Sequence, residues 1–149
     1  MNSEPTESIH IPPIWFWIVS AILLVWNLLG LSVFGISMSM IGNAEALAAA
    51  GLTEEAIELV NSTPTWVNVA FGFAVIFGVI GCVALLLRAN WGIPALIISL
   101  MGVLAQNTYA YFLSNSIELM GVGLSPIVIP VSIATVPFAI YAAKQGWLR

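Results

Sequence analysis

Four long stretches without a charged residue constrain this chain more than any other feature. No Asp, Glu, Lys or Arg occurs in the intervals Glu7 to Glu45, Glu58 to Arg88, Arg88 to Glu118 and Glu118 to Lys144. The hydrocarbon core of a bilayer is ~30 Å thick, and a helix of about 20 apolar residues crosses it. Each stretch is long enough to do so. The sequence therefore predicts an integral membrane protein with four spans.

The composition excludes a water-soluble globular domain. Hydrophobic residues make up 60% of the chain and charged residues 7%, whereas a soluble domain carries roughly 25% charged residues. Four spans take up about two thirds of 149 residues, which leaves no separate soluble domain for catalysis. The net charge of −4 argues against a nucleic-acid partner, which requires a basic surface.

The apolar pattern places the four spans at about 13–37, 65–87, 91–113 and 122–143. The one substantial loop, at 43–63, contains a short helical pattern with Thr53 as its N-cap and Glu54 and Glu55 in its first turn. We therefore expect an all-α fold: a four-helix transmembrane bundle with a short amphipathic helical cap between spans one and two. A single membrane domain would cover residues 1–149.

The cations predict how the protein is oriented. The chain has three, Arg88, Lys144 and Arg149, and four spans put all of them on one side of the membrane with both termini. The positive-inside rule assigns that side to the cytoplasm. The N-terminal segment lacks the basic start and the short apolar core of a signal peptide, so we interpret it as a retained span.

The sequence lacks the residues that catalysis or metal binding would require. It has one His, His10, one Cys, Cys82, and no Asp. Neither a metal-ligand spacing, nor a nucleophile with a base, nor a phosphate-binding loop occurs. His10 lies outside the first span, and we interpret it as an interfacial residue. We predict a protein that is not an enzyme and has no metal or cofactor.

A few polar residues lie inside the spans, where they need partners. Asn27 lies in span one beside Trp26, Gln106 in span three near Tyr109, and Ser132 in span four. An amide buried in hydrocarbon without a hydrogen bond costs several kcal/mol, so these groups should face the bundle interior. They could link the helices to one another, or they could line a small pocket that binds an uncharged polar ligand, with Trp26 and Tyr109 as aromatic walls.

Small residues recur at every fourth position of span two. The stripe consists of Ala70, Ala74, Gly78 and Cys82, and it would let another helix approach closely. That helix could belong to the same bundle or to a second copy of the chain. Cys82 fits the stripe as a small apolar residue rather than as a reactive thiol.

Several local motifs together resemble a known family. They are Trp15-Phe16-Trp17-Ile18, Trp26-Asn27-Leu28-Leu29-Gly30, Thr63-Pro64-Thr65-Trp66 after an alanine- and glutamate-rich loop, and Tyr111-Phe112-Leu113-Ser114-Asn115. Over nearly its full length the chain resembles small four-span bacterial membrane proteins of unknown function, often labelled as candidate sugar transporters. The resemblance implies a bacterial inner-membrane protein.

Two functional hypotheses follow. The first is an accessory or structural membrane module that packs against lipid, itself or a larger membrane complex. The alternative is a carrier or receptor for a small uncharged polar solute such as a sugar. In the first, Asn27, Gln106 and Ser132 only hold the helices together; in the second, they contact the solute.

Overall fold

The computed structural model describes residues 11–149, so His10 and the acidic N-terminal segment lie outside the described residues. Within that range the chain forms helices and turns, without a β-strand. The helices are α1 (Ile14–Met40), α2 (Ala44–Ala49), α3 (Glu54–Ser62), α4 (Thr65–Leu86), α5 (Gly92–Thr108), α6 (Ser116–Met120) and α7 (Ser125–Lys144). A π-helical segment, Tyr109–Leu113, continues α5.

Four of these helices are long and apolar enough to cross a membrane: α1, α4, α5 with its π-helical continuation, and α7. The protein is thus a multi-pass membrane protein, and the expected all-α four-helix transmembrane bundle is confirmed. The helical cap between the first two spans is present as α2 and α3.

Helix α4 is the centre of the bundle. It packs against α1 on one side and α5 on the other, and α5 also packs against α7. Glycines permit the closest approach. A Cβ atom added to Gly102 of α5 would lie 2.6 Å from the Ala70 carbonyl oxygen and 2.7 Å from the Ala74 nitrogen of α4. The two helix backbones are therefore in direct contact, as small residues in membrane helices allow.

Helices α1 and α7 meet through aromatic residues at one end of the bundle. This end, which we call the Arg88 end, holds the start of α1, the turn between α4 and α5, and the C-terminus. Phe16 is fully buried, and its ring centroid lies 5.8 Å from that of Phe138 and 5.7 Å from that of Trp147. These rings form one core with Cys82 and Leu85 of α4, which fills the bundle at this end.

The C-terminal residues fold back over the Arg88 end. Arg88 has a positive φ of 59°, and its Nε donates a hydrogen bond to the Trp147 carbonyl oxygen at 2.7 Å. The Asn90 amide donates to the Arg149 carbonyl oxygen at 2.8 Å, and the Arg149 amide donates to the carbonyl oxygen of Arg88. Trp147 and Leu148 are consequently buried, and they close this end of the bundle.

The opposite end, which we call the loop end, carries the three short helices. The Ala56 amide donates to the Thr53 hydroxyl oxygen at 3.3 Å, which confirms Thr53 as the N-cap of α3. Asn43 caps α2 in the same way, by accepting from the Ala46 amide at 3.1 Å. Helix α3 packs against α6, so the cap is attached to the link between the last two spans.

That link differs from the sequence-based outline. The residues between the third and fourth spans include a helix of their own, α6, and α7 begins at Ser125 rather than near residue 122. Gly121 and Gly123 both have a positive φ, 75° and 52°. Glycine adopts this conformation without the steric cost that a Cβ atom adds, so the chain turns here before the last span begins.

Candidate functional site

A cavity of about 570 Å³ lies among the four long helices, between mid-depth and the loop end. Its walls come from α1, α4, α5 and α7, and from the segment of α6 and the following turn. Leu96 belongs both to the cavity wall and to the core of the Arg88 end. The packed core therefore forms the floor of the cavity.

Asn27 projects from the middle of α1 toward α4. Its Nδ2 donates to the Leu23 carbonyl oxygen at 2.9 Å and to the Cys82 sulfur at 3.5 Å. Its Oδ1 lies directly over Gly78, where an added Cβ atom would overlap it. The glycine thus makes room for the amide. Asn27 Oδ1 remains as a hydrogen-bond acceptor at the cavity wall.

Four residues of α5 and α7 with hydroxyl groups also line the cavity: Ser99, Ser125, Ser132 and Thr135. Three of these hydroxyls donate to backbone carbonyl groups. Ser99 Oγ donates to the Ala74 carbonyl oxygen of α4 at 2.5 Å. Ser132 Oγ donates to Val128 O at 2.8 Å, and Thr135 Oγ1 donates to Val131 O at 2.7 Å. Each of these three hydroxyls donates its one proton to the protein backbone, so only its oxygen lone pairs remain to bind a ligand.

The two neighbouring amides of α5 differ in their bonding. Asn107 Nδ2 donates to the Val103 carbonyl oxygen at 2.8 Å. Gln106 lines the cavity, and within residues 11–149 its side chain makes no hydrogen bond. An amide carries two donor hydrogens and an acceptor oxygen. Gln106 is therefore equipped to donate to and accept from a molecule in the cavity.

Among residues 11–149, those that line the cavity include no Asp, Glu, Lys, Arg or His. An ion brought to this depth would need a counter-charge or a set of coordinating groups to offset its lost hydration. The walls are instead mostly apolar, with a few polar groups spaced among them. Such a lining suits an uncharged molecule that carries hydroxyl or amide donors.

The cavity borders the lipid-facing surface along α1, because Leu29 and Val33 line it and are also exposed. Helices α1 and α7 meet through aromatic rings at the Arg88 end; elsewhere α1 packs mainly against α4 and α7 mainly against α5, and both line the cavity in the loop-end half. We call the space between them in that half the α1–α7 cleft; Trp26, Leu29 and Val33 form one side, and Val128 and Val131 the other.

Trp26 and Leu29 mark the edge of this cleft. Both residues line the cavity, and both also line a shallow groove on the outer surface of α1 with Ala21, Ile22 and Val25. The Leu29 side chain is 60% exposed and that of Val33 52%. In a membrane these exposed apolar groups face lipid.

Four of the five residues predicted to contact a ligand line this one cavity: Trp26, Asn27, Gln106 and Ser132. Tyr109 does not. Its ring packs edge-on against Trp66 of α4, with centroids 5.8 Å apart. Three residues along an α-helix rotate by about 300°, so Tyr109 lies about 60° around the helix from Gln106, on the side that faces α4.

The small-residue stripe of α4 packs inside the bundle. Ala70 and Ala74 lie against Gly102 of α5, and Gly78 lies against Asn27 of α1. Cys82 is fully buried in the core of the Arg88 end. Ala74 and Gly78 also form part of the cavity wall, so the stripe both joins the helices and borders the candidate site.

The apolar residues of the lining could not be identified from the sequence. Val33, Phe71, Leu100 and Val128 line the cavity, but an apolar residue in a span has the same sequence signature whether it faces lipid, a neighbouring helix or a cavity. Polar residues were identifiable because hydrocarbon is an unfavourable environment for them.

Within residues 11–149, no group of three or more His, Cys, Asp or Glu side chains is placed to hold a metal ion. Comparison of the chain with protein-family models, with curated proteins and with solved structures found no match.

Proposed function

We propose that this protein binds a small uncharged polar molecule inside the membrane, as a carrier or receptor, and that it catalyses no reaction. The observation that carries the proposal is the cavity that Asn27, Gln106 and Ser132 share. Its volume of about 570 Å³ lies within the range of roughly 300–1,000 Å³ that is typical of small-molecule sites.

The state of the polar groups supports binding over packing. Amides that served only to join helices would be expected to bond across helices. Asn27 does so, through Cys82, but Gln106 makes no hydrogen bond within the described chain. An amide without a hydrogen-bond partner in an apolar setting is unfavourable. A ligand that forms hydrogen bonds with Gln106 would remove this cost and so bind more tightly.

We also propose the setting in which the site operates. The positive-inside rule places Arg88, Lys144 and Arg149 in the cytoplasm, and the family resemblance suggests a bacterial inner membrane. The Arg88 end would then be cytoplasmic, and the cavity would lie in the outer half of the bilayer. The packed core between cavity and cytoplasm supports a site that is loaded from the outer side.

Matched substitutions test the proposal. In nanodiscs, thermal stabilisation of the protein by a panel of uncharged polyols and glycosides would be compared between the wild type, Asn27→Leu and Gln106→Leu. Asn68→Leu is the control, because Asn68 is a half-buried amide of α4 that does not line the cavity. We expect the first two variants to fold and lose the ligand shift, and the control to keep it. A shift that is equal in all three variants, or absent from the wild type, contradicts the proposal.

The accessory-module hypothesis has an observation in its favour as well. Helix α1 packs mainly along α4 rather than along α7, so the α1–α7 cleft could admit a helix of a second copy or of a larger complex. Under this alternative, native mass spectrometry would detect a stable oligomer or complex, and Gln106→Leu would change its stability without any ligand effect.

A further inference from the structure

We infer that the ligand of this cavity is a membrane amphiphile with an uncharged polyol head, which reaches the cavity from the bilayer through the α1–α7 cleft. This inference rests on the proposed function and specifies the class of molecule that the site takes. It differs from a carrier of free sugar in both the ligand and its route.

Polar and apolar residues lie on different sides of the cavity. The back wall of the cavity, opposite the cleft, is formed by α5, which supplies Ser99, Gln106 and Asn107. The side of the cleft that α1 provides is apolar or aromatic, with Trp26, Leu29 and Val33. A head with hydroxyl groups is thus matched by the interior, and a hydrocarbon chain is matched by the opening.

The interior of the cavity offers more hydrogen-bond acceptors than donors. Ser99, Ser132 and Thr135 have donated their protons to backbone carbonyl groups, and Asn27 Oδ1 is an acceptor. The interior is therefore rich in acceptors, with Gln106 and the Ser125 hydroxyl as donors. A polyol, whose hydroxyl groups each donate one hydrogen, complements this set better than a ketone, an ether or an anion does.

The uncharged lining of the cavity disfavours a charged head group. In the part of the chain that the structure describes, no Asp, Glu, Lys, Arg or His lines the cavity. A phosphate or carboxylate head would lose its hydration without gaining a counter-charge. The common anionic and zwitterionic lipids are accordingly poor occupants, and an uncharged glycosylated or glycerol-type head is favoured.

The chemistry of the cavity favours an amphiphile over a partner helix. The backbone of a transmembrane helix has no free donors, since its hydrogen bonds are made within the helix. It would leave the acceptors of the cavity unmet.

The test compares three probes in nanodiscs by native mass spectrometry: dodecyl β-glucoside, dodecanol and free glucose. We expect one dodecyl glucoside to bind per protein, roughly tenfold more tightly than dodecanol, since the head gains at least one or two hydrogen bonds. Free glucose should show no binding at the same concentration. Gln106→Leu should remove the preference for dodecyl glucoside over dodecanol.

Two exposed residues of α1 test the route. Val33→Trp places an indole in the cleft and should weaken dodecyl glucoside binding at least tenfold. Ile36→Trp is the control, because Ile36 is 56% exposed and does not line the cavity. Equal binding by the two variants overturns the route through the cleft, and the comparison of the three probes stands even if Val33→Trp fails to fold.

The other outcomes are equally distinct. Binding of glucose that the alkyl chain does not improve overturns this inference but leaves the proposed function intact. Binding of dodecanol as tight as that of dodecyl glucoside shows that the head is not recognised and overturns the inference. A protein dimer that excludes all three probes, or no binding of any of them, overturns the inference and the proposed function together.

Discussion

Replacing Gly102 by alanine tests whether α4 and α5 are held together by backbone contact. An added Cβ atom would lie 2.6 Å from Ala70 O, 2.7 Å from Ala74 N and 3.0 Å from Ala74 Cα. All three atoms belong to the α4 backbone, so none can move by a change of rotamer. A comfortable carbon contact is about 3.5 Å, and the helices must separate by roughly 1 Å to reach it. Such overpacking typically costs about 1–3 kcal/mol.

The matched control is Gly35→Ala on α1, where an added Cβ atom meets nothing within 4 Å. Both substitutions gain up to about 1 kcal/mol of helix propensity, so the difference between their unfolding free energies isolates the overpacking, about 1–3 kcal/mol in favour of Gly35→Ala. Reversible unfolding in mixed micelles, followed by circular dichroism, measures it.

A graded result is expected from a third variant. Gly81→Ala should cost less than Gly102→Ala, because its nearest neighbour is the Leu96 side chain at 2.5 Å, which can shift more readily than backbone. If Gly102→Ala proved as stable as Gly35→Ala, the direct contact between α4 and α5 would be refuted.

Three further perturbations probe other parts of the account. Trp147→Ala should lower the free energy of unfolding by about 3–5 kcal/mol, since the buried ring packs against the aromatic core. Trp91→Ala, at a half-exposed residue of the same end, should lower it far less. Equal losses would contradict the packing described for the Arg88 end. Thr53→Ala should destabilise α3 by about 1 kcal/mol through loss of its N-cap. Amide hydrogen exchange should become faster in α3 and stay the same in the rest of the protein. Unchanged exchange in α3 would refute the role of Thr53 as a cap. In intact bacterial cells, a membrane-impermeant thiol reagent should label Glu54→Cys but not Lys144→Cys; labelling of both or of Lys144→Cys alone would reverse or refute the proposed orientation.

The sequence predicted the elements of the fold because hydrocarbon imposes a simple rule. A charge is costly at membrane depth. The positions of the spans could therefore be predicted from the charge-free stretches, such as those that end at Arg88 and Glu118. The cap of α3 was predictable from Thr53, because side-chain capping is a local interaction. The short helix α6 was missed, since its five residues from Ser116 to Met120 carry too little periodicity to stand out from a loop.

The cavity was less predictable than the spans. Asn27, Gln106 and Ser132 signalled an inward face through their polarity, but the spacing of residues along one helix does not determine how far two helices stand apart. The separation of α1 from α7 arises from which helix packs against α4 and α5, a property of the whole bundle. Tyr109 shows the limit of helical spacing, because a residue three positions from Gln106 lies about 60° around the helix from it and can face a different neighbour.

The most direct test of the central claim, that the cavity holds an uncharged amphiphile, is photo-crosslinking in the native membrane. Benzoylphenylalanine would replace Ala110, which lines the cavity, or Phe112, which is 82% exposed on the same π-helical segment, and adducts would be identified by mass spectrometry. The account predicts that position 110 captures an uncharged amphiphile and that position 112 captures bulk phospholipid. The same phospholipid adducts at both positions, or a protein adduct at position 110, would contradict it.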